Sequence, residues 1–237
     1  MLSIAALYSA IHLSPSTDED GYSVMECVSH IAGEPRSVTP ACACPVLAAF
    51  ATCTNDMLAD GPRQALQPIM LHLAASRVSE EAEKARLAWL VDFALCDYLP
   101  KLLPSVNLEH WAPRLAALRP DIAKSDYVNA LHEIIALCKE LQEQSTPLLY
   151  AQRAKHAITR PINVERSSRH LANGIGLATV GEREGAVKAL CKVFFANETL
   201  ISRVDMLLRM MVIDCRKAIE QTDEVLQKLL ELTELAK

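Results

Sequence analysis

Apolar residues recur at the spacing of one helix face along much of this chain. Steps of four, three, four and four positions connect a first series, which consists of Leu87, Val91, Ala94, Tyr98 and Leu102. Steps of similar size connect two further series, which consist of Tyr127, Leu131, Ile134, Cys138 and Leu141 and of Ile201, Val204, Leu208, Met211 and Cys215. Because an α-helix repeats every ~3.6 residues, each series predicts a helix with one buried face.

The composition favours helices over strands. Hydrophobic residues make up 51% of the 237 residues but aromatic residues only 5%. Leu and Ala, which supply most of the apolar side chains, both favour helices, and seven glycines are few for a strand-and-turn architecture. We therefore predict an all-α fold, either an irregular multi-helix bundle or a short α-solenoid, with about 9–11 helices.

The positions of proline and glycine predict the domain organisation. Residues 1–145 are expected to form an N-terminal helical body, and residues 146–237 a C-terminal helical unit, unless the two make one continuous domain. Four of the seven glycines lie within 173–185, which predicts a hinge at Gly174, Gly176 and Gly181. From Ala186 to Lys237 the chain contains neither proline nor glycine, which predicts one or two long helices.

Charge and sorting signals indicate a cytoplasmic protein. The net charge is −5, from 24 basic and 29 acidic residues, which does not support a general nucleic-acid-binding surface. Residues Met1–Ala10 do not have the pattern of a secretory signal, and no apolar run reaches the ~18 residues of a membrane span. The eight cysteines are therefore expected to be reduced.

A possible metal site is formed by Cys27 and His30, three positions apart on a predicted helix, together with Cys42 and Cys44. Zn²⁺ binds four ligands of these types. The Cys-x-Cys spacing is unusual for zinc, however, and the neighbours are small or apolar. We therefore expect these residues to pack a helical joint, with no cofactor, and keep a zinc-dependent enzyme as the alternative.

Four carboxylates form a second candidate site. Glu26, Glu34, Asp56 and Asp92 would be able to act as acids or bases if they shared a pocket. Asp92 lies between Leu87 and Cys96 among almost entirely apolar neighbours, so it requires a partner. An arginine partner is the expected solution, and a functional acid is the alternative.

The charge is unevenly distributed along the chain. Between Tyr150 and Lys192, eight bases stand against three acids, which gives this segment a charge of +5. Such a segment can contact an acidic protein surface, RNA or DNA, or it can be a solvated helix surface. The predicted partner-binding residues are Arg153, Lys155, Arg160, Arg166, Arg169, Arg183, Lys188 and Lys192.

One part of the sequence resembles a known family. The run from Gly21 to Pro35, the segment Pro40–Phe50 and the pair Asn55-Asp56 resemble a module of helical proteins from bacteria, plasmids and phages whose function is not assigned. Trp89 to Pro100 is similar to the second helix of that module, so the resemblance covers about residues 21–105. It implies a compact helical module and a mobile-element setting, but no reaction.

These observations favour a non-catalytic protein that acts by binding other proteins. The resemblance suggests an accessory factor of a phage or mobile element that binds and inhibits a host defence complex, such as a CRISPR effector. The C-terminal unit from Arg183 to Lys237, with the basic segment beside it, is the predicted contact surface. Two alternatives are a zinc- or carboxylate-dependent enzyme and a nucleic-acid-binding accessory factor that uses residues 150–192.

Overall fold

The computed structural model describes the backbone of residues 11–150 and 155–195, and the side chains of 11–144 and 162–195. Regular structure in these residues is helical apart from an isolated parallel bridge between Leu13 and Tyr22, so the all-α prediction is confirmed. The apolar series 201–215 and the tail beyond residue 195 lie outside the described residues. No helix of the described part has both the length and the apolarity that crossing a bilayer requires.

Contacts divide the chain into two compact units, with the boundary between Arg86 and Leu87. The sequence placed a boundary at residue 145 instead. That position lies inside a continuous helix, Val128–Tyr150. The buried series that starts at Tyr127 continues into this helix and makes it part of the second unit.

The first unit consists of short helices connected by tight turns. They are α1 (Val24–Ile31), α2 (Pro45–Met57), α3 (Asp60–Arg63), a 3₁₀ turn (Gln64–Ile69), α4 (Met70–Ala74) and the first part of α5 (Glu80–Asp92). Helix α1 packs on α2 and α4. Pro45 occupies the first turn of α2, where its missing N–H leaves no bond unmade. The core contains Val24, Met25, Phe50 and Met70, all fully buried.

The second unit continues from Leu87. After α5 come a π-helical turn (Phe93–Tyr98), α6 (Leu99–Leu102), two 3₁₀ turns (Leu103–Val106 and Glu109–Trp111), α7 (Ala112–Ala116), α8 (Arg119–Ala123), α9 (Val128–Tyr150), α10 (Lys155–Thr179) and α11 (Arg183–Phe195). Helix α10 packs along both α9 and α11. These three long helices form the main body of the unit.

Most residues of the first two apolar series are buried as predicted, whereas Leu102, Leu131 and Cys138 are only half-buried. Leu87, Val91, Ala94 and Tyr98 are all buried, and so are Tyr127, Ile134 and Leu141 of the second series. The helix of the first series widens into the π-turn immediately before Pro100. Proline has no N–H, and its ring clashes with the carbonyl group four residues earlier in a regular α-helix. The wider π-turn accommodates Pro100, so the helix continues in the same direction.

The predicted glycine hinge is wrong for Gly174 and Gly176, because both lie inside α10. A Cβ atom at Gly174 would come within 2.8 Å of Leu190 Cγ, so this glycine allows α11 to pack closely against α10. The chain reverses only at Gly181, whose φ of +81° is the left-handed conformation that glycine tolerates. Gly174 therefore serves helix packing, and Gly181 serves the turn.

The two helical glycines are expected to respond oppositely to alanine. Gly174→Ala should lower the free energy of unfolding by about 1–3 kcal/mol, because the added methyl group overpacks the contact with Leu190. Gly176→Ala should raise it by about 0.5–1 kcal/mol, because nothing lies within 4 Å of the new Cβ and alanine favours the helix. Urea unfolding of both variants tests this, and a gain in stability for both would contradict the close packing.

Candidate functional site

The four residues of the zinc alternative are not brought together. Cys27 and Cys44 are buried, Cys42 is half-buried, and His30 is exposed with its ring against Tyr22, at 6.3 Å between ring centroids. Within the described part of the chain, no group of three or more His, Cys, Asp or Glu side chains is placed to hold a metal ion. Burial raises the pKa of Cys27 and of Cys42 to about 11, so both stay protonated at neutral pH.

Glu26 holds the start of α1. Its carboxylate accepts the Ser23 N–H at 2.8 Å, and the Ser23 hydroxyl accepts the Glu26 N–H, which forms a capping box. The second carboxylate oxygen accepts Arg36 Nε at 2.7 Å. Burial alone raises the pKa of Glu26, but the hydrogen bonds from Arg36 and Ser23 outweigh it and lower that pKa overall.

Arg36 extends this network to the loop before α1. Its guanidinium donates to the carbonyl oxygens of Asp18, Glu19 and Gly21 and lies over the Tyr22 ring, 4.6 Å from the centroid. One arginine therefore ties the loop 18–21 to Glu26 of α1. Arg36 was not among the residues predicted from the sequence, although a base ten residues after a candidate buried acid is a signal for such a partner.

The other two candidate carboxylates of the first unit, Glu34 and Asp56, also accept hydrogen bonds from that unit's own loops. Glu34 accepts the N–H groups of Ala41 and Cys42, at 2.6 and 2.8 Å. Asp56 accepts the N–H and the hydroxyl of Ser16, at 2.8 and 2.5 Å. Glu26, Glu34 and Asp56 thus each stabilise a different stretch of chain, and the shared pocket that would have suggested acid–base catalysis is not formed by them.

Asp92 has the arginine partner that the sequence required. Arg119 Nε lies 3.1 Å from one Asp92 oxygen, and Arg119 Nη2 lies 2.7 Å from Asp97. Burial raises the pKa of Asp92, and the charge of Asp97 adds to this, whereas Arg119 opposes it. The arginine ties the π-turn to α8, so these acids hold the local fold of the second unit.

The basic segment forms a surface on α10 and α11. We define the cationic face as Arg166, Arg169, His170 and Lys192; the three bases among these are exposed, and His170 is half-buried. Arg183 is the first residue of α11, and Lys188 lies near the middle of that helix. Of the remaining predicted residues, Arg153 lies outside the described residues, and so do the side chains of Lys155 and Arg160.

Ion pairing divides these bases into two groups. Arg169 pairs with Glu165, and Lys188 pairs with Glu184 at 2.6 Å, each one helical turn away. Arg166 and Lys192 have no ion-pair partner among the described residues. Their charges are therefore the ones most available to an external anion.

His170 lies where these charges converge. Burial lowers its pKa, and the positive charges of Lys192, Arg166 and Arg169 lower it further. The cations from two helices are thus close enough to act on a single imidazole ring. His170 was not among the residues predicted from the sequence, although its position four residues after Arg166 places it on the same helix face.

Comparisons of the chain with models of known families, with curated proteins and with solved structures gave no match. The likeness of residues 21–105 to helical proteins of mobile elements thus stays an expectation from the sequence.

Proposed function

We propose that this chain is a non-catalytic binding protein whose cationic face docks on an acidic surface of a host protein complex. The observation that supports this most is the uncompensated charge of Arg166 and Lys192 beside His170 on two packed helices. Exposed like charges repel each other, and an acidic partner would relieve this repulsion. The two packed helices also hold the backbone of these residues in place, so no backbone ordering is needed on binding.

A protein partner fits the charge distribution better than a nucleic acid does. The segment 150–192 carries +5 within a chain of −5, so the remaining residues carry −10. A nucleic acid presents phosphates continuously and would meet that negative charge beyond the basic segment. An acidic patch on a protein is limited in area and can match the cationic face alone.

The narrower form of the proposal is an accessory factor of a phage or mobile element that inhibits a host defence complex, such as a CRISPR effector. The likeness of residues 21–105 to a module from such elements supports this form. In it, the first unit and the body of the second serve as a scaffold, and the cationic face makes the contact that blocks the host complex.

Phage protection in bacteria tests the narrower form. Expression of the chain in a strain whose CRISPR effector targets an infecting phage should restore plaque formation. Arg166→Glu combined with Lys192→Glu should abolish this effect, because the contact surface then repels its partner. The control variant Lys101→Glu with Lys124→Glu changes two exposed bases elsewhere in the second unit by the same charge, and it should act like the unmodified chain. Inhibition that survives reversal of the cationic face would contradict the proposal.

A further inference from the structure

The exposed large apolar side chains in the described part of the second unit are concentrated on two neighbouring helices. Helix α9 carries Val128 and Ile135, α10 carries Ile162, and the turn after α10 carries Val180. Val128 and Ile135 are 49% and 41% exposed and lie two helical turns apart on one side of α9. A single exposed apolar side chain is ordinary, but several together are typical of an interaction surface.

The exposed side chains of α9 and α10 lie on one shared face. Cys138 follows Ile135 by three positions on α9, and Glu165 follows Ile162 by three positions on α10. Burial raises the pKa of Cys138 to about 11, and the charge of Glu165 acts in the same direction, whereas the charge of Arg169 opposes it. These side chains are therefore neighbours where α9 packs on α10. We define the apolar strip as Val128, Ile135 and Ile162.

Exposed bases border the apolar strip on both helices. Lys139 follows Ile135 by four positions, and Arg166 follows Ile162 by four positions, and both bases are exposed. Positions three and four residues further along a helix fall on opposite sides of a given residue. Because the positions three further along lie between the helices, Lys139 and Arg166 lie at the two outer edges. The apolar strip thus has positive charge on either side.

The geometry of the apolar strip matches a helix of a partner. Val128 and Ile135 are about 10 Å apart along α9, since a helix rises ~1.5 Å per residue. A partner helix that lies along α9 repeats its own side chains at the same interval, so its apolar residues meet these two in turn. A second copy of this chain fits poorly, because docking by the same face would bring Lys139 and Arg166 of both copies together.

We propose that the apolar strip and the cationic face together bind one amphipathic helix of the partner, with an apolar stripe that is flanked by carboxylates on both sides. Its apolar stripe covers the apolar strip, and its carboxylates meet Lys139 and Arg166. Exposed ion pairs alone bind weakly, and burial of apolar surface adds affinity that does not depend on charge. This inference rests on the proposed function and narrows the acidic surface to one kind of segment.

A synthetic peptide tests the proposal. The probe is a labelled helical peptide of about 18 residues, with leucines along one stripe and glutamates on both flanks. Fluorescence anisotropy with the full chain should show saturable binding. The double serine variant, Ile135→Ser with Ile162→Ser, should weaken this binding by about 10- to 100-fold, because two apolar contacts are lost. Met57→Ser removes an exposed apolar side chain of the first unit and should leave the binding unchanged.

Lys139→Glu separates this inference from the proposed function, because Lys139 is not part of the cationic face. The variant should weaken peptide binding by about 3- to 10-fold, since a base at the edge of the apolar strip becomes an acid. Ile135, Ile162 and Lys139 are all exposed, so these variants should keep the fold, and circular dichroism checks this.

A second peptide, with serines in place of the leucines, should bind more weakly than the first. If it binds equally well, or if the double serine variant binds like the unmodified chain, this inference fails and docking through charge alone stands. If Arg166→Glu with Lys192→Glu leaves peptide binding unchanged, both fail. The inference is also overturned if the peptide does not bind, if the chain binds vesicles of anionic phospholipid instead, or if the chain forms a dimer that the double serine variant dissociates.

Discussion

Replacement of Glu26 by alanine is expected to lower the free energy of unfolding by about 2–4 kcal/mol. The Glu26 carboxylate accepts hydrogen bonds from the Ser23 N–H and from Arg36 Nε, and its side chain is 9% exposed. Loss of the cap costs about 1 kcal/mol, and loss of a hydrogen bond between charged groups costs about 1.5–3 kcal/mol. Alanine would also release Arg36 from the anion that orients it towards the loop before α1.

Glu34→Ala is the matched control for this prediction. Glu34 also accepts two hydrogen bonds, but both come from backbone N–H groups and its side chain is only half-buried. Its replacement should cost about 1 kcal/mol, since water can replace part of what is lost. Chemical denaturation of both variants provides the comparison. If both variants lost the same free energy of unfolding, the ion pair between Glu26 and Arg36 would add no stability beyond that of ordinary backbone hydrogen bonds.

The same carboxylate predicts a dependence of stability on pH. The pKa of Glu26 in the folded chain lies below the ordinary value of 4.5. Its contribution is therefore fully present above pH 4.5 and is lost as the pH falls through the lower folded-state pKa. Glu26→Gln, which cannot ionise, should show a smaller loss of stability over this range than the unmodified chain.

The fold class and the buried faces could be predicted because helical periodicity is a local signal. The series from Leu87 to Tyr98 and from Tyr127 to Leu141 required only the spacing of apolar residues along one helix. The roles of Gly174 and Gly176 could not be predicted in this way. Glycine weakens an isolated helix, and only the approach of Leu190 from another helix explains why Gly174 is tolerated inside α10.

The cationic face could also be predicted only in part from the sequence. The sequence identified the excess of bases in 150–192, but it could not separate compensated from uncompensated charges. Arg169 and Lys188 have glutamates four residues earlier, a pattern visible in the sequence, whereas the convergence of Lys192 with Arg166 on His170 depends on how α11 packs on α10. Asp92 needed an arginine, but its partner Arg119 is distant in sequence and lies on α8.

Reversal of the cationic face is expected to weaken partner binding by about 30- to 1000-fold. In the variant Arg166→Glu with Lys192→Glu, each change replaces an attraction by a repulsion of similar size, roughly 1–2 kcal/mol per site. The fold should be retained, because both side chains are exposed and have no ion-pair partner among the described residues. Circular dichroism and the unfolding midpoint of the variant check this retention.

The dissociation constant of the complex tests the central claim most directly. A partner captured from bacterial lysate on the unmodified chain would be purified, and its affinity measured by calorimetry for that chain, for the reversed variant and for Lys101→Glu with Lys124→Glu. Contact through the cationic face predicts a large loss of affinity for the reversed variant alone, and weaker binding of the unmodified chain at ~1 M salt than at ~0.1 M salt. Equal dissociation constants for all three chains, unchanged by salt, would contradict it.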